Sequence, residues 1–165
     1  LGAAVASERV YEAFKRPFLH GHTYTGHPVA CAVGLAVMEY IERHGLVERA
    51  EEMGRHLLKG LQDLYDHGIV GDVRGLGLFA GVEFVADRES KRPFPPELRV
   101  HRRIYEACLR NGLLIYPGSG TVDGVRGDHI QVAPPLVVGH SEIDEIVERL
   151  YHSIGEVERE LRGSM

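Results

Sequence analysis

Between residues 48 and 67, Ala50, Met53, Leu57, Leu61 and Leu64 recur at three- and four-residue spacing with charges between them, which predicts an amphipathic helix on a surface. The stretch 29–44 has no such polarity. Ala30, Ala32, Gly34 and Ala36 stand among Val, Leu and Met, so the helix predicted there is apolar on nearly every face and should be buried. A last helix is predicted from Ser141, with Ile143, Ile146, Val147, Leu150 and Ile154 as its stripe and Asp144 completing a weak capping box. Short apolar runs predict strands over 69–73, 76–85, 113–116 and 130–133.

Breaker residues set the boundaries. Ser7 is the expected cap of a helix over 8–15 that Pro17 stops, and Pro28 suits the first position of the helix that follows the loop at 20–27. Arg74 and Gly75 are expected to separate the first two strands, with Gly77 and Gly81 marking a bulge or a close backbone approach. A helix over 97–110 should end at Asn111 and Gly112, and 117–124 should be irregular. From residue 48 the order is helix, two strands, helix, two strands, helix. That order predicts an α+β domain, a mainly antiparallel sheet with helices on one face, over 45–165. Residues 1–44 fit it poorly and read as the end of another domain. Leu1 to Ala6 read as the middle of a strand, which suggests a polypeptide cut from a longer one.

A net charge of -5 gives no reason to expect a nucleic acid or an acidic membrane as partner, which leaves a small molecule or another protein. No apolar run approaches the length of a membrane span, and no signal peptide is evident. Cys31 and Cys108 lack the spacing of a zinc site, so a reducing cytoplasm is expected.

Two segments carry candidate chemistry. His20, His22 and His27 lie close together, but without the spacing of a metal motif or a nearby carboxylate, so no metal is assigned. The helix beginning at Pro28 should instead expose unpaired N–H groups beside the hydroxyls of Thr23 and Thr25, an arrangement that suits a phosphate. The alternative is that these polar residues bond only the turn's own backbone. In the second segment Gly124 and Gly127 flank Arg126, whose planar fork suits a carboxylate. Here the alternative is a surface charge or an Arg126–Asp128 pair; Arg74 faces the same choice. The Arg126–Gly127–Asp128 tripeptide is not read as an adhesion motif, because nothing else is extracellular in character.

Thr23–Tyr24–Thr25–Gly26–His27–Pro28, then Val73–Arg74–Gly75–Leu76–Gly77 leading into Gly81–Val82–Glu83, then Arg126–Gly127–Asp128–His129 leading into Ala133–Pro134–Pro135–Leu136, occur in this order. In that order they resemble class III, pyridoxal-phosphate (PLP) dependent aminotransferases, especially the ω-amino acid and amine:pyruvate branch. The resemblance implies a fold-type-I enzyme in which 1–44 finish the large PLP-binding domain and 45–165 form the C-terminal small domain. It further implies that Thr23, flanked by His22 and Tyr24, holds the PLP phosphate of a neighbouring subunit, so that a homodimer shares its active sites. Arg126 would grip the substrate carboxylate and swing away for an uncharged amine, and Arg74 would support the structure or the dimer. The implied reaction moves an amino group from an amine or ω-amino acid to a 2-oxo acid such as pyruvate. The family's cofactor-holding lysine has no counterpart here: Lys15, Lys59 and Lys91 lie in charged surroundings. The chain alone is therefore expected to be inactive. An aminomutase or decarboxylase of the same fold, or a non-catalytic remnant that only dimerises or binds a partner, are the alternatives.

Overall fold

In the computed structural model, which describes residues 2–14 and 20–163, helix α3 (Leu46–Leu61) runs into a short 3-10 turn at Gln62–Asp66. Its stripe is buried as the spacing requires: Met53, Leu57, Leu61 and Leu64 face the core, while Glu51 and Arg55 pair in solvent at 2.7 Å. Four strands follow, β1 (Val70–Leu76), β2 (Phe79–Phe84), β3 (Tyr116–Ser119) and β4 (Asp128–Val132). They form one sheet in the order β1-β2-β4-β3, antiparallel at every pairing. Period-two alternation gives the sheet two unlike faces. Ala80, Val82, Phe84, Ile130 and Val132 are buried with α3, α4 (Val100–Arg110) and α5 (His140–Gly163) in one core. Phe79, Gly81, Glu83, His129 and Gln131 line the other, open face. The α+β class is thus observed, with each large core side chain contributing about 1.5–3 kcal/mol by leaving water.

The element ends show which signals dominate. Helix α4 closes at Asn111 and Gly112 as expected: Gly112 takes φ +74°, its N–H bonds the Leu109 carbonyl, and the Leu113 N–H reaches Cys108 at 2.8 Å. Its start differs. Pro96–Leu98 form a 3-10 turn, Arg99 takes φ 45°, and the helix begins at Val100. The expected capping role of Asp144 also differs, because Glu142 is the residue that reaches back to the Gly139 N–H at 2.7 Å, while Asp144 pairs with His56.

The hairpin turn lies beyond the predicted Arg74 and Gly75. Leu76 pairs with Phe79, so Gly77 and Leu78 form the loop, and Gly77 supplies the positive φ of 54° at its first position. The bulge falls between Val70 and Asp72, at neither Gly77 nor Gly81. The close backbone approach joins Gly77 to α3: a Cβ on Gly54 would stand 2.3 Å from the Gly77 carbonyl carbon and oxygen. Pro117 and Gly118, expected to be irregular, belong to β3. As β3 is an edge strand, the missing proline N–H costs no ladder bond.

The described residues divide into two compact units, Leu1–Gly45 and Leu46–Met165. The first holds α1 (Glu8–Glu12) and α2 (Pro28–Arg43). Ser7 sits at the N-cap of α1 without a side-chain cap bond, and Pro17 lies outside the described residues. Residues 2–6 form no strand, and no strand among the described residues pairs with them. The expected burial of α2 is not observed. None of its residues is buried, and Val29, Val33, Leu35 and Met38 are more than half exposed, because no element among the described residues of this unit covers its apolar faces. No helix among the described residues is long and apolar enough to cross a membrane.

Candidate functional site

Residues 22–27 of the first unit fold into turns that divide the polar groups between local and free roles. The Thr25 hydroxyl accepts the His22 N–H at 2.8 Å, and the Thr25 N–H bonds the His22 carbonyl, so Thr25 is spent on the turn itself. His27 caps α2, its Nδ1 accepting the Ala30 N–H at 3.4 Å. With Pro28 lacking an N–H, the expected free donors at the start of α2 shrink to the N–H of Val29. Thr23 is different: its hydroxyl and N–H hold no partner among the described residues. His22 and Tyr24 are exposed beside it, the Tyr24 ring edge-on to His27 at 5.9 Å. The donors present suit one end of a phosphate group, and nothing in the turn supplies a covalent anchor.

In the second unit, the loop between β3 and β4 places Arg126. This loop is knitted by its own backbone, with N–H to carbonyl bonds from Gly120 to Gly127, Val122 to Arg126 and Gly124 to Gly120. Gly124 and Gly127 take φ +85° and +102°, and a Cβ on Gly127 would stand 2.4 Å from the Thr121 hydroxyl. Asp123 fastens the tip. One of its oxygens accepts the N–H groups of Val125 and Arg126 at 3.1 and 2.7 Å, and the other accepts Arg126 Nε at 2.7 Å. The Arg126 N–H, the guanidinium and the Val125 N–H hold the Asp123 carboxyl down to about 2. The Arg126 side chain stays half exposed, and its Nη groups hold no acceptor among the described residues.

The Arg126–Asp128 pair weighed in the sequence does not form. Asp128 is buried and turned to α4, where it accepts the His101 N–H at 3.0 Å and bonds the His101 ring, capping the helix from across the fold. Arg126, Arg99, Arg102 and Ser119 line a cavity of about 290 Å³. Sequence reasoning missed Asp123, although an aspartate three residues before an arginine in a glycine-flanked tip is a legible turn signal.

Arg74 has no such freedom. On the open face of the sheet its two Nη groups donate to Asp72 at 2.6 Å and to Glu83 at 2.9 Å, joining β1 to β2. The Arg74 hydrogen bond holds the Asp72 carboxyl below its usual range. Neither described lysine is built for covalent work. Lys91 Nζ donates to the Gly71 carbonyl at 2.7 Å and Lys59 stands exposed on α3; Lys15 lies outside the described residues.

An aminotransferase of Schizosaccharomyces pombe is 46% identical over 133 residues, covering 80% of this chain and 29% of its own length. The diaminobutyrate–2-oxoglutarate transaminase of Halomonas elongata is 36% identical over 164 residues, 95% of this chain and 34% of that protein. Among solved structures, a thermostable (S)-enantioselective omega-transaminase from Thermomicrobium roseum superposes with a TM-score of 0.77 at 35% identity, covering 92% of this chain and 33% of that one. The chain thus spans about a third of the length of these relatives. The family model for class-III aminotransferases matches residues 1–154, and this chain belongs to the class-III aminotransferase family.

Proposed function

We propose that this chain works within a PLP-dependent aminotransferase that moves an amino group from an amine or ω-amino acid to a 2-oxo acid such as pyruvate. Bound PLP would supply the electron sink and the amino-group carrier of the reaction. In this reading residues 1–44 complete the large cofactor-binding domain and 45–165 are the small domain. Thr23 donates its hydroxyl and N–H to the cofactor phosphate of a neighbouring subunit, with His22 and Tyr24 beside it, so a homodimer shares the two sites. The setting is the cytoplasm. Arg126 receives the carboxylate of the substrate through its Nη groups.

The observation that carries the reading is the half-exposed Arg126, held by one carboxylate at Nε with its outer fork open, beside Arg74, whose fork is closed by two. A bidentate carboxylate fits the open fork. The (S)-selective omega-transaminase relative supports the amine branch. The name of the Halomonas relative favours a second reading in which the acceptor is 2-oxoglutarate, and Arg126 has the same task in both.

The test is Arg126→Ala in the complete, PLP-loaded enzyme. KM for carboxylate-bearing substrates should rise at least about tenfold, or about 1.4 kcal/mol, and far less for a simple arylalkylamine. Equal losses for both donors would make Arg126 structural.

A further inference from the structure

We infer that Asp123 is the resting counter-ion of Arg126, an internal carboxylate that neutralises the guanidinium before a substrate carboxylate arrives, and so tunes the preference between charged and uncharged amino donors. This inference rests on the reading of Arg126 as the carboxylate-binding residue.

Three observations carry it. First, Asp123 offers Arg126 the same chemical group that a substrate acid would bring, at 2.7 Å and through Nε. Second, the backbone bonds of the loop, together with the two N–H groups on Asp123, fix the two residues' main chains relative to each other. The exchange is therefore a side-chain event: the guanidinium rotates off Asp123, or a ligand joins at its Nη groups, while the turn stays folded. Third, the side chains are 51% and 40% exposed, so the pair is of the weak, water-screened kind that a second carboxylate can replace. Arg74 shows the contrast, because two carboxylates occupy both of its Nη groups and leave no edge for exchange.

The consequence is a competition inside the site. A carboxylate donor meets a guanidinium already neutralised by Asp123, whether it takes the free Nη edge or displaces the aspartate, whereas an uncharged amine leaves Arg126 neutralised on its own loop instead of facing an apolar substrate as a bare cation. Asp123 is in this sense a positioning residue, acting through Arg126.

Asp123→Asn keeps an oxygen for the Val125 and Arg126 N–H groups and removes the competing charge. In the complete, PLP-loaded enzyme, KM for a carboxylate-bearing donor relative to an uncharged arylalkylamine should fall about two- to fivefold, which corresponds to about 0.4–1 kcal/mol. Asp123→Ser, whose hydroxyl also accepts turn N–H groups, should give the same fall and guards against misfolding of the Asn variant. Asp123→Glu retains the charge and should keep the ratio near that of the parent. An unchanged or raised ratio in both neutral variants overturns the counter-ion role. If Arg126→Ala still weakens carboxylate binding in that case, the function of Arg126 survives and only the role of Asp123 falls. If Arg126→Ala leaves carboxylate KM unaltered, the reading of Arg126 fails and this inference fails with it.

Discussion

Gly118 and His129 face each other across β3 and β4, and the imidazole fills the space that a side chain at 118 would need: a Cβ there would lie 2.4 Å from both Cε1 and Nε2 of His129. The contact sits at the base of the loop that carries Arg126. His129 Nδ1 is buried without a hydrogen-bond partner among the described residues, so packing and not bonding holds the ring. Gly118→Ala should destabilise the fold by about 1–3 kcal/mol through overpacking. Urea unfolding of the chain measures it, and adding His129→Ala should recover most of the loss. Additive losses in the double variant would show that the two sites do not press on each other.

A second prediction concerns acid stability. Burial pushes the Glu158 carboxyl up, but hydrogen bonds from His67, the Gly68 N–H and Arg162 outweigh it, so the group lies below its ordinary 4.5. Gly68 and Arg162 donate at 2.8 Å each, and His67 is at 3.2 Å. A carboxyl depressed in the folded state contributes stability that is present above the unfolded value and is lost as pH falls through the folded one. Glu158→Gln should therefore cost about 1–3 kcal/mol near neutrality. The gap to the parent should narrow as pH drops below 4.5. A gap independent of pH across that range would remove the charge from the explanation.

Cofactor binding supplies the third. Thr23→Val keeps the shape of the side chain and removes a hydroxyl that the turn does not use. In the complete enzyme it should weaken PLP binding by about 1.5–3 kcal/mol, the usual worth of a hydrogen bond to a charged group. Thr25→Val should act on the turn instead, since the Thr25 hydroxyl is bonded to the His22 N–H. A change in the PLP dissociation constant below about twofold for Thr23→Val would remove Thr23 from the phosphate site.

The two thiols should react unequally. Cys31 is exposed, whereas Cys108 is buried and its thiol is pushed up to about 11 by that burial. Titration of the native chain with a thiol-exchange reagent should release one equivalent rapidly, with the second appearing only on denaturation. Two fast equivalents would mean that α4 opens readily.

Much of this fold is legible where one local signal acts alone. The stripe from Ala50 to Leu64 and the Asn111–Gly112 stop need no knowledge of the rest of the chain. Legibility ends where the deciding partner is distant. Nothing near Asp128 reveals that it caps α4 through His101, and nothing near Pro117 reveals that the strand is at an edge. The hydropathy of α2 predicts burial, but burial requires a covering surface, and the described residues of its own unit supply none. At the candidate site the glycine-flanked Arg126 is readable from composition of the loop. Its tie to Asp123 and the division of labour between Thr23 and Thr25 depend on turn geometry.

Gly54 and Gly77 make α3 and the tip of the β1–β2 hairpin meet main chain to main chain, with no side chain between them as a cushion. Side-chain contacts can slip by a change of rotamer; a joint between two backbones has no such give. A side chain at 54 would therefore have to part the hairpin from the helix, because the atoms that it would meet are main chain.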